Sequence, residues 1–269
     1  MPGTACAKAI QIWAEKNAPT LPEEAAVVKL MALQPPIDRM DASLNGLTAV
    51  RHLSLSTNAI PIISPISLKN LEILSLGRNM IKKISGLEEV GATLKELWLS
   101  YNQIATLDGL TACVKLQTLY ISNNKIKDWA EVRKLSAVSK LGNVTLVGNP
   151  IYDGLTRKTA RPEVVKNFPQ CKVLDGEMVT DADTGVDEIV MEARGKVVAL
   201  HGSAENAMVT QSELADPTRV EIIPSDVLTS VLVGLGLDEV LAGKVYSKID
   251  WEKKGGATVQ QVRRAFGIQ

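Results

Sequence analysis

Two kinds of side chain in this sequence can do chemistry by virtue of type and spacing. Asparagines recur at Asn58, Asn79, Asn102, Asn124 and Asn149, with steps of 21, 23, 22 and 25 residues by subtraction. A carboxamide both donates and accepts, so a buried row of them can tie adjacent backbone segments together. Trp98 and Tyr120 stand at one phase of the same period. Exposed neighbouring aromatics are residues from which protein contacts are built. Reactive groups are sparse: only two histidines occur in 269 residues, which leaves little for acid–base catalysis. The sequence has no P-loop, no Gly-x-Gly-x-x-Gly after a strand and no Gly-x-Ser-x-Gly elbow. No Cys/His/Asp cluster has metal-ligand spacing, and Asp181 with Asp183 reads as a solvated loop. These residues point to binding, with no catalytic residue, metal or cofactor.

The elements that must position them follow from the residues around each asparagine. The segments VRHLSLSTNAI, LEILSLGRNMI, LKELWLSYNQI, LQTLYISNNKI and LGNVTLVGNPI share one register. That register defines a leucine-rich-repeat solenoid, an α/β fold whose coils bury a continuous core only when stacked. The alternating pairs Leu53 and Leu55, Leu74 and Leu76, Leu97 and Leu99, Leu119 and Ile121, Val144 and Leu146 are strand-like and point inward. Outward residues then form three rows: His52, Ile73, Glu96, Thr118, Asn143; Ser54, Ser75, Trp98, Tyr120, Thr145; and Ser56, Gly77, Ser100, Ser122, Val147. Ile73, Glu96, Trp98, Tyr120 and Thr145 are the expected partner-binding residues, and His52 is expected to be solvated.

A solenoid needs caps at both ends. Residues 5–16 are helical in pattern, and Thr20 with Glu23 fits a capping box before a second helix over LPEEAAVVKLM, ended by Pro35-Pro36. After Pro150, RPEVVKNFPQCKVLDGEMV reads as a helix, a proline break and a short extended piece at Val173 and Leu174. Residues 186–200 read as a further helix. The expected organisation is a helical N-terminal cap over 1–45, repeats over 46–152, a C-terminal cap and helix over 153–200, a linker over 201–220 and a small all-helical module over 221–269.

Thirty basic and thirty acidic residues cancel, so no global charge favours nucleic acid or a membrane surface. No apolar run approaches the roughly 20 residues of a membrane span, and the first residues lack the apolar core of a secretory signal. Cys6, Cys113 and Cys171 are few and scattered, the pattern of a reducing compartment.

The segments PPIDRMDASLNGL, LSLSTN, LSLGRN, GLEEVGATLKELWLSYNQI, LYISNNKIKDWAEVRKL and VGNPI together resemble the axonemal dynein light chain 1 family. The resemblance covers roughly residues 5–180. It implies a non-enzymatic subunit of ciliary and flagellar outer-arm dynein, present in the axoneme, cytoplasm and cytoskeleton. Such a subunit binds the microtubule-binding domain on the heavy-chain stalk, associates with tubulin and regulates beating. Trp98 and Tyr120 lie within the matching region, while the stretch after Leu174-Asp175-Gly176 departs from it. Other repeat adaptors, such as protein phosphatase 1 regulators, share the repeat and cap but lack the flanking segments. Lys82, Lys83, Lys125 and Lys127 at turns read as solvated surface.

Residues 202–269 lie outside the resemblance. GSAENAMVTQSELADPTR reads as a linker, followed by three short helices, with Ser225 as an N-cap and Gly234 and Gly236 ending the first. IDWEKKGGATV resembles a degenerate EF-hand loop, with Asp250 and Glu252 as first and third ligands, Lys254 next and Gln261 where a bidentate glutamate is expected. The stretch from Asp250 to Val259 counts as two residues longer than a regular loop. Calcium needs several oxygen ligands and the lysines oppose it, so a calcium-free helical module is expected, with a calcium-responsive switch as the alternative.

Overall fold

The computed structural model describes residues 3–180, 183, 188–211, 214, 222–249 and 255–268. The chain divides into two compact units, Met1–Val179 and Thr180–Gln269. The first opens with helix α1 (Cys6–Asn17). Seven short strands then follow in parallel: β1 (Val27–Lys29), β2 (His52–Ser54), β3 (Ile73–Ser75), β4 (Glu96–Trp98), β5 (Thr118–Tyr120), β6 (Asn143–Thr145) and β7 (Val173–Leu174). β8 (Glu177–Met178) turns back antiparallel on β7 and completes the sheet of the described residues. Helix α2 (Trp129–Lys134) and helix α3 (Arg157–Asn167) lie in the connections before and after β6.

The register explains the core. Val28, Leu53, Leu74, Leu97, Leu119, Val144 and Leu174 stand opposite one another across the strands, all fully buried. One coil exposes its apolar edge; stacking removes that edge from water, which is why the unit forms as an array. Phe168, from the end of α3, joins the same cluster at the C-terminal side. The three cysteines are buried thiols outside any disulfide. Burial pushes the Cys6 and Cys113 thiols up to about 11, so neither is an activated nucleophile.

The N-terminal cap differs from the expected pair of helices. α1 forms, but residues 21–31 do not continue as helix; Val27–Lys29 is the first strand of the sheet. Val28 and Leu30 point inward as any L-x-L pair does. The helical capping signature at Thr20 and Glu23 loses because the sheet offers Val28 and Leu30 full burial, a tertiary gain larger than a local propensity. This coil carries Leu33 where later coils carry asparagine, 25 residues before Asn58 by subtraction, so its repeat character is masked.

The second unit has its own core. α4 (Glu188–His201) contributes Val190, Ala193 and Val197 to it, and α5 (Ala204–Val209) contributes Ala204, Ala207 and Met208. Part of the expected linker is therefore ordered helix. β9 (Ile222–Pro224) precedes α6 (Ser225–Gly234), α7 (Glu239–Ile249) follows, and β10 (Gly256–Thr258) leads into α8 (Val259–Ala265). The three expected helices form, but the module is not helical throughout: β9 and β10 pair antiparallel, with Ile223 opposite Ala257. Ser225 is the first helical residue, with Pro224 at the cap position. Asp250, Glu252 and Lys254 lie outside the described residues. Gly255, sixth from Asp250, is left-handed at φ 78°, as the sharp turn of such a loop requires. The Gln261 carboxamide oxygen accepts from the Thr258 amide at 2.8 Å and closes a capping box, so it serves the helix.

Candidate protein-binding face

The asparagines build the scaffold of the face. Asn102 is typical: its Oδ1 accepts from the Ile81 amide at 2.9 Å, and its Nδ2 donates to the Leu76 and Leu99 carbonyls, each at 3.0 Å. Asn58, Asn79, Asn124 and Asn149 repeat the same three-way bracket onto the preceding coil and their own. After the last asparagine, Asp175 takes over: its Oδ1 accepts from the Leu146 and Val147 amides at 2.6 and 3.0 Å. Its Oδ2 accepts from the Tyr152 hydroxyl at 2.7 Å, and burial with that carboxylate pushes the phenol well above its ordinary range. The ladder is structural.

One feature of the coils has no signal in residue type. The residue before each ladder asparagine is left-handed: Thr57, Arg78, Tyr101, Asn123 and Gly148, with φ between 55° and 79°. A side chain there costs about 1–2 kcal/mol. The bracket from the next residue holds the turn against that cost. Gly148 is also a steric necessity, because a Cβ there would lie 2.4 Å from the Asn123 Oδ1.

The strands present the expected aromatic pair. Trp98 on β4 and Tyr120 on β5 are register partners, ring centroids 5.4 Å apart at 89°. That edge-to-face geometry sets the positive ring edge on the negative face. Trp98 Nε1 donates to Glu96 Oε2 at 3.1 Å, which fixes the indole from its own strand. Trp98 remains 37% exposed, so the apolar plane is available for contact. Ile73 pairs in register with Glu96, and Thr145 follows Tyr120 on β6. All five expected contact residues thus share one face, and Ile73, Glu96, Tyr120 and Thr145 are half-buried. Thr145 Oγ1 is buried without a hydrogen-bond partner among the described residues.

Three parts of the face differ from the sequence reading. His52 is packed rather than solvated: its ring lies 6.0 Å from the Trp98 ring and its Nε2 is 3.2 Å from Ser75 Oγ. Burial lowers its pKa, aided by Lys29 and opposed by Glu96. Ser54 and Ser75, outward by alternation, are buried beneath larger neighbours; Met31 Sδ lies 4.0 Å from Ser54 Oγ, and Trp98 adjoins Ser75. Val27, Lys29 and Met31 extend the face by one strand, and they were missed because their strand was read as helix. On the adjoining ridge, the Arg78 guanidinium stacks over the Tyr101 ring at 4.2 Å. Lys82, Lys83, Lys125 and Lys127 are exposed, as expected. Among the described residues no group of three or more potential ligands could hold a metal ion.

Register, ladder and caps define a leucine-rich-repeat protein, and the Leucine Rich repeats family model matches residues 92–134. The dynein axonemal light chain 1 of Chlamydomonas reinhardtii is 49% identical over 180 residues, 65% of this chain and 90% of the relative. The human dynein axonemal light chain 1 is 46% identical over 186 residues, 68% of this chain and 97% of the relative. An internalin of Listeria monocytogenes is a structural neighbour at 23% identity and TM-score 0.42, covering 52% of this chain and 38% of that one. The chain belongs to the dynein axonemal light chain 1 family.

Proposed function

We propose that this chain is a non-catalytic light chain of ciliary or flagellar outer-arm dynein. In this reading the open face of the sheet binds the microtubule-binding domain of the heavy-chain stalk, and binding regulates motor activity and beating. Ile73, Glu96, Trp98, Tyr120 and Thr145 carry the contact, and the axoneme is the site of action. Tubulin is a secondary partner. The carrying observation is the Trp98–Tyr120 pair, two aromatic rings held edge to face on a scaffold of buried asparagines within a dynein light chain family member. Rigid aromatics lose little entropy on contact, which is why they dominate such interfaces.

The purified chain is titrated with isolated stalk-tip domains of outer-arm heavy chains. Tight binding to one of them, weakened about a hundredfold by Trp98→Ala with Tyr120→Ala, is expected. Circular dichroism on the double variant separates lost contact from lost fold. Unchanged affinity would remove this face from the interface; no binding to any stalk tip would remove the heavy-chain reading.

A further inference from the structure

The two edges of the repeat sheet are finished differently. At the C-terminal edge β8 covers β7, and Arg161 donates to the Leu174 and Met178 carbonyls at 3.1 and 2.9 Å. At the N-terminal edge β1 pairs only with β2 among the described residues. In a parallel ladder alternate residues turn their main-chain groups toward one neighbour. The Ala26 carbonyl accepts from the Arg51 and His52 amides at 2.8 and 3.0 Å, and the Leu30 amide donates to the Ser54 carbonyl at 2.8 Å. Val27 and Lys29 therefore turn their amides and carbonyls the other way, where no hydrogen bond from a described residue reaches them.

That open edge borders a groove. It measures about 350 Å³ and runs between α1 and β1, with Ile12 and Trp13 on one side, Val27 and Met31 on the other, and Lys16 and Lys29 as its charged lining. No acidic side chain lines it. Val27 and Met31 are 47% and 45% exposed. A groove with unpaired strand groups on one wall, apolar side chains along it and only positive charge has one natural occupant. An extended segment can pair with the edge, set alternate apolar side chains against Trp13 and Met31, and place carboxylates at the lysines.

We infer that the β1 edge and the α1 groove form a second docking site, which takes an extended acidic–apolar segment of a partner protein by strand addition. It adjoins the aromatic face, which Val27, Lys29 and Met31 extend by one strand, but differs in the contact made: one uses main-chain hydrogen bonds, the other side-chain planes. Self-pairing of two β1 edges is disfavoured, because it brings the lysines of both copies together across the junction.

The test uses Lys29→Pro in the full chain. The Lys29 amide faces away from β2, so proline leaves the ladder intact, as on other edge strands, while removing the donor and filling the edge. The probe is a library of random linear peptides displayed on phage, selected on the native chain. Clones that alternate apolar and acidic residues, and bind Lys29→Pro about tenfold or more weakly, are expected from the loss of two or three hydrogen bonds. The double variant Lys16→Glu with Lys29→Glu leaves the main chain unchanged and is expected to weaken the same clones. It carries the test alone should Lys29→Pro unfold. An absence of enriched clones, or clones that bind the native and variant chains equally, would overturn the proposal. So would a dimer in sedimentation that Lys29→Pro dissolves, since the edge would then be a self-pairing surface.

Discussion

Each unit is held together internally by its own kind of bond. In the repeats, asparagine makes the same bracket at five successive coils, its cross-coil bonds joining positions 19 to 28 apart in sequence. Among the described residues of the second unit, helix caps span only three residues, Ser203 to Asn206, Asp238 to Leu241 and Thr258 to Gln261, and the Thr229 hydroxyl donates to the Ser225 carbonyl one turn back. The unit's long-range order rests on apolar packing of Leu228, Leu232, Val245 and Phe266, together with one strand pair. Removing a ladder residue therefore leaves a main-chain amide without its acceptor and takes one donor from carbonyls shared with the next asparagine, while removing a cap frays one turn.

Asn102→Ala should give the largest loss, about 3 kcal/mol, because the buried Ile81 amide loses its acceptor while the Leu76 and Leu99 carbonyls, which also accept from Asn79 and Asn124, each lose one of two donors. Urea unfolding of the full chain measures it. Asp175→Ala comes next at about 2 kcal/mol, as the Leu146 and Val147 amides and the Tyr152 hydroxyl are left over at a more open position. Thr258→Ala should cost only about 1 kcal/mol, the usual worth of an N-cap. If Thr258→Ala matched Asn102→Ala, the contrast between bracketed coils and locally capped helices would collapse.

The smallest effect concerns pH. Burial holds the folded His52 pKa below its ordinary value of 6.5, so the folded state favours the neutral ring. Its contribution is present above the unfolded pKa and is lost as pH falls through the lowered folded value. Repeat-unit stability should be flat above neutrality and decline modestly on acidification below about 6.5, and His52→Gln should reduce that slope. A slope unchanged in the variant would assign the acid sensitivity to carboxylates elsewhere.

These contrasts track what could be read from residues alone. The ladder was legible because its asparagines are one type at one spacing, and Trp98 and Tyr120 were legible because strand alternation assigns their side. The first coil was hidden: Leu33 stands at the asparagine phase, and Thr20 with Glu23 imitates a helix start. Ser54 and Ser75 show the limit of alternation, which gives direction but not what a neighbouring tryptophan or methionine covers. The helices of the second unit were found by apolar periodicity. The pairing of Ile223 with Ala257 was not, since it joins segments with no shared motif.

The left-handed row before the ladder has a consequence for change over time. At Thr57, Arg78, Tyr101 and Asn123 the backbone is held by the bracket of the residue that follows, so the side chain there is not what keeps the turn. A hydroxyl, a guanidinium, a phenol and a carboxamide have all been accepted at the same geometric position. The stack thus carries a column of interchangeable slots along one rim, closed only at Gly148, where a Cβ would meet the Asn123 Oδ1. A lineage can rewrite what that column displays, and so which client it meets, while the fold beneath stays the same.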